Sequence, residues 1–352
     1  MRSIWAKLDI VGKTCIVIIS LLASLAILAY FFIPDKTANA NVMHVQLAAQ
    51  KPGTTYTVLR LLDAQPQMSI RKWFYGETES YNEIVIDEYK SKGDSIFYKT
   101  SASSPWLVYQ IPKGLVLTDV IRVQKFALGS DNYGRDFWSR LVLGSRVSLS
   151  VGFIAVFISL LIGIPLGAMA GYYRGWVDNV IMWLINVIWS IPTLLMVIAL
   201  TFVLGKGFWQ VFVAVGLTMW VEVARVVRGQ VLSLREKEFV EAARVLGFNN
   251  LRILLKHILP NALSPVIVIS AANFASAILI ESGLSFLGIG AQPPIPSWGG
   301  MLRDHYAYVI MGKPFLALLP GFAIMLAVLS FMALGNSLRD SLDVRLNNSK
   351  DS

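Results

Sequence analysis

Residues able to do chemistry are sparse in this chain, and their spacing argues against catalysis. His44, His257 and His305 lie far apart and the single cysteine, Cys15, sits within an apolar run, so no metal-ligand set and no intrachain disulfide is indicated. Gly12-Lys13-Thr14 has the ending of a phosphate-binding loop, but the earlier glycine such a loop requires would fall at Lys7, and an apolar run follows. No ATP site is read from it. The apolar runs also hold no paired carboxylates and no base-activated serine at a readable spacing. Between two apolar runs stands the charged segment EFVEAARVLGFNNLRILLKHILP, from Glu238 to Pro260, where Glu241, Arg244, Arg252 and Lys256 accompany a smooth spot at Ala242 and Ala243. Chemistry of that kind orients a protein partner and performs no reaction.

Local signals give this segment a shape. Glu238 to Leu246 is a helix by propensity, Gly247 stands where a left-handed residue ends a helix, and Asn249 caps a second helix from Asn250 toward Ile258. Pro260 permits a fresh helix start. Two short helices in an L or V are expected.

The elements that must position this segment are membrane spans. Uncharged runs from Thr14 to Ile33, Val147 to Tyr173, Asn179 to Gly205, Leu259 to Ile280 and Pro314 to Leu338 reach the roughly 20 residues a helix needs to cross a hydrocarbon core. A sixth, Gly207 to Ala224, is interrupted only by Glu222. With 55% hydrophobic and 15% charged residues, an all-α polytopic membrane protein is expected, not a soluble domain. A cleaved signal sequence is the alternative for the first run, since Arg2 and Lys7 precede it and Thr37 to Ala40 resembles a processing site. Its length favours a retained anchor.

Basic residues fix the orientation. Arg2, Lys7, Lys13, Arg174, the Arg225 to Lys256 group, Arg339, Arg345 and Lys350 fall on one side, whereas the short connections opposite hold Lys206, Arg303 and Lys313. Positive charge marks the cytoplasmic face, so both termini are expected inside. The net charge of +9 then needs no nucleic-acid partner. Between the first two spans, Thr54–Leu62, Asn82–Tyr89, Ser95–Lys99 and Trp106–Ile111 read as strands separated by turns such as Lys92-Gly93-Asp94. Ten acidic residues against eleven basic ones from Asp35 to Asp131 suit a packed domain, either a spacer or a docking surface.

Polar residues at membrane depth face protein or water, which makes Asn186, Ser190, Asn273, Ser276 and Glu281 the candidates for a pathway or gate. For Asn186 and Ser190, interhelical hydrogen bonding is the favoured reading. Pro192 is expected to bend the third span, and Glu222 with Arg225 to form a local ion pair. Glu281 could meet a peptide's amino terminus, close an outer gate, or hydrogen-bond a neighbouring loop.

Glu241-Ala242-Ala243, Gly247 and Ile258-Leu259-Pro260 resemble the coupling signature of permease subunits of ATP-driven (ABC) importers. Gly129 to Asp136, with Ser139-Arg140, Gly144, Arg146 and Ser148, is similar to the segment leading into the second span in the dipeptide and oligopeptide branch, where Thr is usual at Ser130. Glu281 to Gly288, Trp298-Gly299 and the tail Leu338 to Arg345, with Val344 in place of an expected Pro, extend the likeness, which fits the second of the paired permeases. The strand-rich insertion departs from it.

The resemblance implies a type I importer fold of six spans in a bacterial inner membrane. Residues 1–34 would hold the first span, 35–134 the extracytoplasmic insertion, 135–338 the permease domain with its coupling loop at 236–260, and 339–352 a cytoplasmic tail. It implies a homologous second permease, two ATP-binding subunits using ATP and Mg, and an extracytoplasmic binding protein. The chain itself would need no cofactor, metal or catalytic residue. Glu241, Ala242, Ala243, Gly247, Ile258, Leu259 and Pro260 would carry the coupling. A peptide bears both signs of charge and must not be held, which suits a weakly polar pore. Nickel chelates or glycosides are alternative cargoes. A secondary transporter would leave the docking loop without purpose, and a membrane enzyme would need paired carboxylates, a His cluster or an activated Ser that the spans do not offer.

Overall fold

The structure is a computed structural model that describes residues 8–61, 76, 82–112, 115–205 and 207–342. Arg2, Lys7, Lys206, Arg345, Lys350 and Val344, used above for orientation and tail matching, lie outside the described residues. Nine helices organise the chain among the described residues, apart from single turns: α1 (Ile10–Ile27), α2 (Phe137–Tyr173), α3 (Gly175–Trp189), α4 (Thr193–Leu204), α5 (Phe208–Arg235), α6 (Glu238–Val245), α7 (Asn250–Phe286), α8 (Trp298–His305) and α9 (Phe315–Leu342). α1, α2, α5, α7 and α9 are each long and apolar enough to cross a bilayer. The expected third span is two helices, α3 and α4, bent by 91° at the break that contains Pro192. Counted as one crossing, the pair brings the spans to six. A proline ring cannot continue the ladder of the preceding turn, and Ser190 and Ile191 before it yield.

Two compact units divide the chain, residues 1–23, 147–292 and 321–352 in one and 24–146 and 293–320 in the other. In the first, α5 is the most enclosed helix, with Val223, Val227 and Val231 fully buried beside Ala168 and Tyr172 of α2. Gly163, Gly167 and Gly171 of α2 recur every four residues, and a Cβ on each would lie 2.7 Å from Trp220 O, 2.3 Å from Ala224 O and 2.8 Å from Arg228 O of α5. The two backbones therefore touch directly, as small-residue stripes allow in lipid. One expectation for this unit fails. The backbone does not restart at Pro260, because it stays helical from Asn250 through a π-turn at Leu254–Ile258 into the span. The wider turn accommodates a ring that lacks a backbone N–H.

The second unit contains the strands. β1 (Thr55–Leu61), β2 (Asn82–Ile86) and β6 (Ile121–Lys125) form an antiparallel sheet in the order β2-β1-β6; β3 (Glu88–Lys92), β4 (Ser95–Lys99) and β5 (Leu107–Gln110) form another in sequence order. The expected strand Asn82–Tyr89 is split at Asp87, where the chain passes from one sheet to the other and the Asp87 N–H donates to Lys99 O at 2.8 Å. Leu59, Ile86, Ile96, Tyr98 and Val120 form the core shared by the two sheets. Tyr56, Val58, Val85 and Phe126 form a second cluster on the other face of β1.

Candidate coupling segment and translocation pathway

The segment after α5 folds as its residues dictate. Gly247 takes φ +78°, Gly247 N–H donates to Arg244 O at 2.9 Å and Phe248 N–H to Ala243 O at 3.1 Å, the paired 5→2 and 6→1 bonds of a Schellman ending. Asn249 then caps α7 by accepting from the Arg252 N–H at 2.8 Å. Val240, Ala243, Ile253 and Ile258 are buried against Val223, Val227 and Val231 of α5, with Leu259 packed at the edge. Tyr172 at the end of α2 donates to Asn250 Oδ1 at 2.8 Å, and Arg235 donates to the Tyr172 carbonyl. Arg174 pairs with Glu236 at 2.5 Å across exposed surface, where an ion pair contributes little.

This packing divides the expected coupling residues. Glu241, Ala242, Gly247 and Pro260 face outward, Ala243 and Ile258 face the bundle, and Leu259 is half-buried. Sequence reasoning missed the apolar side chains on the outward surface: Phe239, Val245, Leu246, Leu251 and Leu255 are exposed, Val245 by 87%. Exposed apolar residues on a segment whose other apolar positions are buried are what a partner surface would cover. The signal was there in Val245-Leu246, which follow Val240 and Ala243 out of phase.

In the bundle, Glu281 is 1% exposed and accepts from Ser148 Oγ at 3.2 Å and Ser285 Oγ at 2.7 Å. It thus ties α7 to α2 inside the helix pack. Asn273 is equally buried, and its Nδ2 meets no acceptor among the described residues. Ser190 does not reach another helix; its hydroxyl bonds back to Val187 O at 2.7 Å, and Asn186 is exposed. That corrects the interhelical reading, since a serine at a helix end finds its own carbonyls first. A cavity of about 210 Å³ is lined by Trp189, Met196, Thr218, Glu222 and Ser276, among others. Among the described residues, the local ion pair expected between Glu222 and Arg225 does not form. The Arg225 guanidinium instead lies 3.6 Å from the Trp189 ring centre, a stacking its weak hydration favours. Asp178 of α3 and Arg228 of α5, not anticipated from sequence, form a two-point pair at 2.5 and 2.7 Å.

The residues leading into α2 are a buried polar knot. Asp131 is fully buried; its Oδ1 accepts from the Tyr133 and Arg135 N–H groups at 2.8 and 2.9 Å, and its Oδ2 lies 2.5 Å from Arg135 Nε and 3.7 Å from Arg140 Nε. Ser130 Oγ receives the Gln50 N–H at 2.8 Å and donates to Leu47 O at 2.5 Å. Gly134 has φ +73°, and a Cβ there would lie 1.8 Å from His44 O, so no other residue fits. Gly144 packs against Trp298, whose indole donates to Leu141 O at 2.9 Å, which brings two separate sequence motifs together.

A family profile described as binding-protein-dependent transport system inner membrane component matches residues 163–348. The chain is 44% identical over 218 residues to a dipeptide transport system permease protein of Alkalihalophilus pseudofirmus, covering 62% of this chain and 71% of that one. It is 42% identical over 219 residues to a glutathione transport system permease protein of Pectobacterium atrosepticum, with 62% and 72% covered, and 43% identical over 218 residues to its Escherichia coli O157:H7 counterpart, with the same coverage. All of these matches leave more than a third of the present chain unaligned.

Proposed function

The chain belongs to the family of binding-protein-dependent transport system inner membrane components, and from that premise we propose that it is a permease subunit importing dipeptides and short peptides across a bacterial inner membrane. The observation that carries the reading is the two-sided segment α6–Gly247–α7: Val240, Ala243, Ile253 and Ile258 fasten it to the bundle, while Glu241, Ala242, Val245, Leu246 and Leu251 are left outside. A surface so held can pass a push from a separate motor into the spans. Two ATP-binding subunits would supply that push with ATP and Mg, a second permease would complete the pathway, and an extracytoplasmic binding protein would select cargo. The termini and the coupling segment would lie in the cytoplasm, as the basic residues Arg225, Arg228, Arg235, Lys237, Arg244, Arg252 and Lys256 favour. Relatives bearing dipeptide and glutathione transport names support peptide cargo.

Uptake into proteoliposomes holding the chain with its partner subunits tests this. ATP-dependent import of a labelled dipeptide is expected, and the Glu241→Lys variant should co-purify less ATP-binding subunit. Import by the isolated chain, or unchanged association of the variant, overturns the coupling role.

A further inference from the structure

One face of the sheet β2-β1-β6 is polar where it borders a cavity of about 200 Å³. The register Arg60↔Glu83, Tyr56↔Gln124 and Val58↔Arg122 places Arg60, Glu83, Tyr56, Gln124 and Arg122 on that side. Asp35 and His44, from the segment after α1, and Asp136, just before α2, complete the lining. A buried polar surface in so small a unit costs stability unless its groups find partners.

Two of the three carboxylates have theirs. Glu83 lies 2.5 Å from Arg60 Nε and 3.3 Å from His44 Nε2. Asp35 accepts from Thr37 N–H at 2.9 Å, Thr37 Oγ at 2.7 Å and Val42 N–H at 3.1 Å. Asp136 is 6% exposed, and its Oδ2 takes the Ser139 N–H at 2.8 Å and Oγ at 2.5 Å, but Oδ1 has no donor among the described residues. Arg122 and Lys125, also on the lining, are exposed and form no ion pair among the described residues. No group of three metal-ligating side chains converges among the described residues, so a bound cation of that kind does not answer the vacant oxygen.

An acceptor waiting at depth and two guanidinium or ammonium groups toward solvent fit a molecule with a donor cation at one end and a carboxylate at the other. We propose that this cavity is a binding site for a small zwitterion, a free α-amino acid or dipeptide, its ammonium on Asp136 Oδ1 and its carboxylate toward Arg122 and Lys125. The volume is below the ~300–1,000 Å³ of sites for drug-sized ligands, which confines the occupant to one or two residues. The choice of a peptide-like ligand rests on the import reading above; the vacant acceptor and unpaired cations do not.

Titration calorimetry of the full chain in nanodiscs with Ala-Ala, N-acetyl-Ala-Ala and Ala-Ala-amide tests the assignment. Ala-Ala is expected to bind, with affinity lowered about tenfold or more by N-acetylation, by Asp136→Asn and by joint Arg122→Ala and Lys125→Ala substitution. The rim substitutions leave the buried residues in place, so they report even where Asp136→Asn fails to fold. The amide should bind weakly to the wild type and lose nothing further in the rim variant. Absence of Ala-Ala binding, equal binding of the acetylated peptide, or indifference of the rim variant overturns the site. A chain that imports peptide with its partners but binds none here overturns this site alone; one that binds Ala-Ala here but whose complex imports no peptide overturns the import reading alone.

Discussion

The Tyr172 hydroxyl donates to Asn250 Oδ1 across 2.8 Å, so the last turn of α2 holds the first residue of α7. The same tyrosine offers its carbonyl to Arg235 at the end of α5. Three helix ends thus meet on one residue. Tyr172→Phe removes only the hydroxyl bond, at a cost of about 1 kcal/mol. Assembly with ATP-binding subunits should persist, while stimulation of ATP hydrolysis by loaded binding protein should fall severalfold. Full stimulation in the phenylalanine variant would show that the bond does not position the segment.

Gly247 stands in open space, so a side chain there meets no neighbour, and only its φ of +78° opposes substitution. Gly247→Val therefore isolates backbone strain, at least ~1–2 kcal/mol for a β-branched residue. Membrane insertion should be normal and transport-coupled ATP hydrolysis lost. Measured hydrolysis at the wild-type rate would remove the turn as a mechanical joint.

The glycine stripe makes the opposite kind of test, one of volume. A methyl on Gly167 would sit 2.3 Å from Ala224 O, whereas one on Gly229 would have nothing within 4 Å. Gly167→Ala should destabilise the protein by about 1–3 kcal/mol through overpacking. Gly229→Ala should be neutral or stabilise by up to ~1 kcal/mol, from helix propensity alone. Thermal unfolding midpoints of the two variants in detergent check the contrast.

Asp136 yields a pH prediction. Burial raises its carboxyl to about 6; the hydrogen bonds from Ser139 oppose that rise, and the charges of Asp35 and Asp131 add to it. In the unfolded chain the value returns to ~3.9, so the folded form holds the proton more firmly between these limits. The stability this contributes is complete below about pH 4 and lost as pH rises through about 6. Glu83 pulls the other way, because its contacts with His44 and Arg60 outweigh burial and leave it below the usual range. Hydrogen exchange of residues 121–136 should slow from pH 7.5 to pH 5 more in the wild type than in Asp136→Asn, which lacks this titration. Parallel profiles would exclude Asp136 as the source.

Local signals carried most of what the sequence revealed. Apolar run length marked the spans, Pro192 marked the bend, and Gly247 with Asn249 marked a helix stop and start that the bonds to Ala243 O and Asn249 Oδ1 reproduce. What stayed hidden depends on opposing surfaces. The glycines at 163, 167 and 171 show their four-residue spacing in sequence, but the backbone that fills the groove lies some fifty residues on. Ala243 and Ile258 read as surface residues because their signature is contiguous with Glu241 and Pro260, yet helical phase turns them inward. β6 escaped because Ile121–Lys125 is short and follows a single helical turn, Leu117–Val120.

Direct backbone contact has a mechanical result. Along the stripe α2 presents no side chain, and α5 sets Val223, Val227 and Val231 and the carbonyls of Trp220, Ala224 and Arg228 against the glycines, so sliding one helix past the other would drive these groups into the α2 backbone. α5 alone runs 28 residues, about 42 Å at ~1.5 Å per residue. A displacement of its Arg235 end is therefore expected to carry α2 along with α5.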